Sequence, residues 1–139
     1  SGEEFQAVYA THSSLYNREH GDLEVSALCQ FKFSNEVMGS VNIDYLRPQN
    51  APSHDDDRIR VAGTQGVIEV YQGKVYLIND EKQGIQKLEL LPEGQIFKDF
   101  VGKIRGEGDC IVTAKDSFDV TEACLKARMS ADTGKVIEF

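Results

Sequence analysis

From Leu23 to Phe33 apolar residues alternate with polar ones: Leu23, Val25, Ala27, Cys29, Phe31 and Phe33 stand against Asp22, Glu24, Ser26, Gln30 and Lys32, with Leu28 alone out of step. Successive side chains of a strand point to opposite sides, so this period of two predicts a strand with one buried face. Ser34-Asn35 then offers the backbone tolerance of a tight turn, and Val37, Val41, Ile43 and Tyr45 resume the alternation. Two strands joined so closely must run antiparallel. Gly39 lies on the same side as those apolar residues, where its missing Cβ predicts close approach by a neighbouring group.

The flanking segments extend the theme. Phe5 to Ala10 reads as a short edge strand, followed by a polar loop from Thr11 to Asp22 that holds His12 and His20. Pro48 and Pro52 end the strand that passes Tyr45, because proline cannot donate to a ladder. Ile59 and Val61 then face inward with Arg58 and Arg60 outward. The turn Gly63-Thr64-Gln65-Gly66 leads into Val67 to Tyr71, and Gln72-Gly73 leads into Lys74 to Ile78. A polar loop from Asn79 to Gly84 precedes an edge strand, Ile85 to Leu91, which Pro92 ends.

Helical spacing begins only after that. Ile96, Phe97, Phe100, Val101 and Ile104 recur at intervals of three and four, and Gly106 and Gly108 supply the stop. Thr113-Ala114-Lys115-Asp116 has the form of a capping box and opens a last helix carrying Ser117, Val120, Cys124, Ala127 and Ala131 along one side. Gly134 ends it, and Val136 to Phe139 reads as a final strand. Consecutive strands with two helices at the end predict an α+β fold: an open, mainly antiparallel β-sheet with two helices on one face. The other face, Ser26, Leu28, Gln30, Met38, Ser40 and Asn42, is left without a cover. Its mixture of apolar and small polar groups resembles many subunit interfaces and predicts a homo-oligomer.

A chain of 139 residues fits a single domain spanning 1–139. Its net charge of −8, with lysines and arginines scattered, offers no stripe to neutralise a phosphate backbone, so nucleic acid is excluded as a partner. No apolar run is long enough to span a bilayer, which excludes a membrane partner, and no signal peptide opens the chain. Cys29, Cys110 and Cys124 are odd in number and widely spaced, a pattern expected of reduced thiols in a cytoplasmic protein. Cys29 and Cys124 fall on apolar faces as small buried hydrophobes. The opening Ser1-Gly2 in place of methionine reads as an expression scar on an excised piece, with the natural protein expected to extend upstream.

No glycine fingerprint joins a strand to a helix: Gly106-Glu107-Gly108 follows a helix, and Gly63-Thr64-Gln65-Gly66 joins two strands. This fragment is therefore expected to bind no cofactor. His54-Asp55-Asp56-Asp57 lacks the spacing of a calcium loop, because adjacent residues cannot all turn to one ion, and reads as a solvated turn with no metal. His12 and His20 read as surface histidines. The proline-stiffened loop from Tyr45 to Arg58 concentrates Tyr45, Arg47, Asn50, His54 and Arg58, groups suited to hydroxyl or carboxylate recognition. Tyr45, Arg47, His54 and Arg58 are the candidate substrate residues; the alternative is a solvated crossover whose arginines pair with neighbouring carboxylates.

Two blocks carry a family resemblance. Val41-Asn42-Ile43-Asp44-Tyr45-Leu46-Arg47-Pro48, followed by the run from Asp56 to Val70, DDRIRVAGTQGVIEV, resembles the C-terminal domain of Gfo/Idh/MocA oxidoreductases (glucose-fructose oxidoreductase, inositol dehydrogenase and MocA-like proteins). The tail, Phe97 to Gly102 and then ARMSADTGKVIEF from Ala127, is similar to that family's closing helices and last strand. The resemblance covers most of the chain from about Val25 onward and implies a parent NAD(P)-dependent oxidoreductase of sugars, polyols or related compounds. Its N-terminal Rossmann domain, absent here, would be this domain's partner. The family's Glu-Lys-Pro motif and helical histidine have no counterpart in this chain, and none of His12, His20 and His54 occupies the motif position, so no catalytic residue is assigned. The resemblance thus implies a domain that supplies a substrate wall and a subunit interface and is inactive alone. A stand-alone binding or scaffold domain sharing the fold is the alternative.

Overall fold

A computed structural model of the chain describes residues 2–53, 56–90 and 92–139. In chain order the elements are β1 (Phe5–Ser13), β2 (Ser26–Phe33), β3 (Met38–Asp44), β4 (Arg58–Gly63), β5 (Gly66–Tyr71), β6 (Lys74–Asn79), β7 (Lys82–Leu88), α1 (Ile96–Ile104), α2 (Ala114–Thr133) and β8 (Ile137–Glu138). They group into two compact units, one comprising Ser1–Arg47 and Ile96–Phe139 and the other Pro48–Gln95. The α+β class and the open antiparallel architecture are both present, with the eight strands divided between two four-stranded sheets.

In the first unit the sheet runs β3-β2-β1-β8. The alternation in β2 is expressed as expected: Val8, Phe31 and Gly39 lie in one cross-strand row, Ala10, Cys29 and Val41 in the next, and His12, Ala27 and Ile43 in a third. α2 covers β1 on this side, where Val8, Ala10 and Ala127 form the buried centre and Cys29, Phe31, Ala131 and Ile137 pack around it. The intervening rows, with Leu28 beside Asn42 and Gln30 beside Ser40, point to the opposite face. Leu28 is 45% exposed there and Met38 83%.

Local chemistry explains the joints. Asn35 (φ 52) and Glu36 (φ 61) adopt left-handed backbone in the short 3-10 turn between β2 and β3. A Cβ on Gly39 would stand 3.0 Å from the Phe33 ring, so the group whose approach glycine permits is that phenyl. Phe33 also meets Phe5, which stacks on Phe139 at 5.1 Å between centroids. α2 is capped as expected: Thr113 Oγ1 accepts from the Asp116 amide while the Asp116 carboxylate accepts from the Thr113 amide, and Gly134 closes the helix at φ 67.

The second unit is an antiparallel meander, β4-β5-β6-β7. Val61, Ile68 and Leu77 oppose one another on one face, and Arg60, Glu69 and Tyr76 on the other, with Arg60 and Glu69 ion-paired at 3.0 Å. Gly66 is required at the β4-β5 turn, since a Cβ there would lie 2.4 Å from the Ile78 carbonyl oxygen.

Several boundaries differ from expectation: β2 begins at Ser26 instead of Leu23, and the last strand is confined to Ile137–Glu138. The polar residues Thr11, His12 and Ser13 belong to β1, not to the following loop, because they pair with Leu28, Ala27 and Ser26 of β2. Pairing across the sheet overrides their weak strand signal. β7 begins at Lys82 instead of Ile85, since Asn79 and Lys82 close a hairpin through Asp80 and Glu81; its expected end at Leu91 lies outside the described residues.

Candidate functional site

The side of the first sheet facing α2 is only partly covered. α2 sits over β1, so a cavity of about 350 Å³ opens beside it, floored by Cys29, Val41 and Ile43 and walled by Cys124, Ala127 and Ala131, with Tyr45 also in its lining. The lining is apolar because the alternation of β2 and β3 delivers every second side chain to this face.

The cavity becomes polar where His12, Glu24 and Arg128 line it. His12 Nε2 lies 2.9 Å from Asp132 Oδ1, and because a carboxylate only accepts, Nε2 carries the proton. Arg128 donates through Nε to the same carboxylate at 3.0 Å and through a terminal nitrogen to Glu24 at 2.8 Å. The His12 hydrogen bond, and after it Arg128, holds the Asp132 carboxyl below the usual carboxylate range. This network fixes the imidazole plane and ties the segment before β2 to the last turns of α2. An oriented imidazole at the polar end of an apolar groove is suited to accepting a hydrogen bond from a hydroxyl of a bound molecule.

Of the candidate substrate residues, Tyr45 borders this cavity and Arg47 follows three residues after β3, both in the first unit. Arg58 opens β4 in the second unit, where its guanidinium lies 4.4 Å from the Tyr71 ring centroid and 3.4 Å from an Asp56 carboxylate oxygen. His54 lies outside the described residues, as does Asp55. His12, expected to be a surface residue, is exposed and also lines this cavity. Its partner Asp132 is 120 positions away, a separation that no local pattern reports. Glu24 and Arg128, paired with each other across the chain, were missed for the same reason.

Among the described residues no cluster of three or more His, Cys, Asp or Glu side chains is placed to hold a metal ion. Gly63 to Gly66 joins two strands, and the N-terminus of α2 is closed by the chain's own Thr113 and Asp116. Neither offers the strand-to-helix cradle that a dinucleotide pyrophosphate requires. No described helix is long and apolar enough to cross a membrane.

No protein-family model matches the sequence, and a search of curated proteins finds no relative. Solved structures do match. A provisionally assigned oxidoreductase from Thermotoga maritima is 52% identical over 99% of this chain, with a TM-score of 0.93, and the match spans 42% of that protein. The aldose-aldose oxidoreductase of Caulobacter crescentus, complexed with glycerol, shares the fold at 19% identity over 99% of this chain and 42% of its own, with a TM-score of 0.76. An oxidoreductase from Agrobacterium radiobacter, in complex with NAD+, L-tartaric acid and magnesium, does so at 15% identity, a TM-score of 0.73 and coverage of 97% and 43%. The chain thus spans less than half the length of these proteins. The resemblance to the C-terminal domain of Gfo/Idh/MocA oxidoreductases, read from its sequence blocks, is borne out by these matches.

Proposed function

We propose that this chain is the C-terminal domain of an NAD(P)-dependent oxidoreductase of sugars, polyols or related compounds, a cytoplasmic enzyme whose nucleotide is bound by a separate N-terminal Rossmann domain. In that enzyme the chain supplies a wall of the substrate site and a subunit interface, and it is inactive alone. The observation that carries this reading is the 52% identity over 99% of the chain to a protein of which the match is only 42%. Proteins sharing the fold at lower identity carry glycerol, or NAD+ with L-tartaric acid, in their structures, which supports polyhydroxylated substrates and a nicotinamide cofactor.

We assign the substrate wall to Tyr45, Arg47, His54 and Arg58. The test is kinetic. Full-length enzyme should reduce NAD+ or NADP+ with at least one member of a sugar and polyol panel, while the 139-residue chain shows no saturable NAD(P)H binding. In the full-length enzyme, Arg47→Ala and His54→Ala should each lower kcat/KM by about tenfold or more, equivalent to ~1.4 kcal/mol, at unchanged cofactor affinity and melting temperature. Unaltered kinetics in both variants would return the loop to a solvated crossover. Saturable binding of NAD(P)H by the isolated chain would overturn the division of labour.

A further inference from the structure

We propose that Cys29 on β2 and Cys124 on α2 form a paired-thiol site that closes to a disulfide across the helix-sheet groove when a small disulfide oxidant enters it. The placement follows from register and helical spacing. Cys29 stands between Ala10 and Val41 in a cross-strand row on the side facing α2 and packs against the buried centre of the unit. Cys124 precedes Ala127, a member of that centre, by three residues, so both lie on one face of α2. Both cysteines line the same cavity and both are reduced. Burial pushes the Cys29 thiol up, and the neighbouring Cys124 pushes it further in the same direction. Cys110 lies between α1 and α2 and is not part of the cavity lining.

The difference in exposure sets the order of the chemistry. Cys124 is the exposed member and Cys29 the half-buried one with the raised pKa. With glutathione disulfide as oxidant, the Cys124 thiolate attacks one glutathione sulfur, forms a mixed disulfide and expels a glutathione thiolate, which takes up the proton that Cys124 released. Cys29 then loses its proton and attacks the Cys124 sulfur. The Cys29-Cys124 bond forms as the second glutathione departs and is protonated. Two protein thiols are oxidised, and one glutathione disulfide is reduced to two glutathione molecules. The cross-link fastens α2 to β2 and fixes the width of the groove.

The experiment uses the full-length protein that carries this chain, incubated natively with glutathione disulfide, alkylated to block remaining thiols, and peptide-mapped without reduction. The expected result is a linked pair of peptides containing Cys29 and Cys124, abolished by reductant, with Cys110 recovered alkylated. Cys29→Ser should stop the reaction at a glutathione adduct on Cys124, and Cys124→Ser should remove both the linked pair and most adduct formation at Cys29. Recovery of both thiols as alkylated peptides in the unaltered protein would overturn the proposal, and so would linkage of either cysteine to Cys110 or to a cysteine elsewhere in the protein.

Discussion

Ser130 is the residue on which the contact between helix and sheet turns. Its side chain is fully buried, accepts from the Ala10 amide at 2.9 Å and donates to the Lys135 carbonyl at 2.5 Å. β8 pairs with β1 at Ala7 and Val8, and further along this edge of β1, at Ala10, the Ser130 hydroxyl takes the place of a ladder partner. Ser130→Ala leaves the buried Ala10 amide without a partner and should cost ~1–3 kcal/mol, read as a lowered denaturation midpoint at unchanged slope. A midpoint equal to the parent's would show that water replaces the hydroxyl freely. Asp132 yields a prediction in pH. Its folded pKa lies below the unfolded value, so its stabilisation is complete above the ordinary carboxylate pKa of about 3.9 and is lost as pH falls through the folded value. Asp132→Asn should therefore flatten the acid limb of a stability-pH curve, and parallel limbs in parent and variant would remove the role given to His12 and Arg128. At this scale the sequence was legible wherever a residue's neighbours are close in the chain or follow a period. The inward side of Cys29, Phe31 and Phe33 was readable, and so was the close approach at Gly39. Ser130 and the His12-Asp132 pair were not, because their partners lie about 120 positions away.

At the scale of elements, α2 was the most legible, since both of its ends are written in local chemistry. The capping box satisfies amides that would otherwise be open, and Thr113→Ala should cost about 0.5–2 kcal/mol, with Thr113→Ser recovering most of it. Equal unfolding midpoints for the alanine and serine variants would mean that the first turn is held by other contacts. The buried stripe of α2 is Ala123, Ala127 and Ser130, while Val120 is 56% exposed. Helical spacing alone put Val120 on the apolar side; small residues won the inner positions because they let the helix lie close over β1. Strand boundaries were harder. Alternation shows which face a residue takes but not which strand it pairs with, and so neither the extension of β1 through His12 nor the partition of eight strands into two sheets could be read from it.

For the molecule as a whole, the uncovered face of the first sheet is the feature with most bearing on assembly. Leu28, Gln30, Met38, Ser40 and Asn42 share it, as the alternation predicted, and Tyr9 joins them from β1 through its pairing with Gln30. We expect a homodimer or tetramer built through this face, with Leu28→Glu shifting the light-scattering mass toward the monomer while leaving the melting temperature of the dissociated chain unchanged. A strict monomer at high concentration, unaffected by the substitution, would count against it.

The interleaving of the two units also has a consequence for how the chain is made. The first unit is assembled from residues on either side of the second, and β1 finds α2, β8 and Phe139 only across nearly the entire sequence. The strands of the second unit pair solely with their immediate neighbours in the chain. During synthesis the inner meander can therefore zip up from short hairpins while the earlier sheet, already emerged, still presents Val8, Ala10 and Phe31 to solvent. That interval ends only when the ribosome has delivered the last helix, which makes the emerging chain most prone to aggregation when elongation stalls between Gln95 and Ala114.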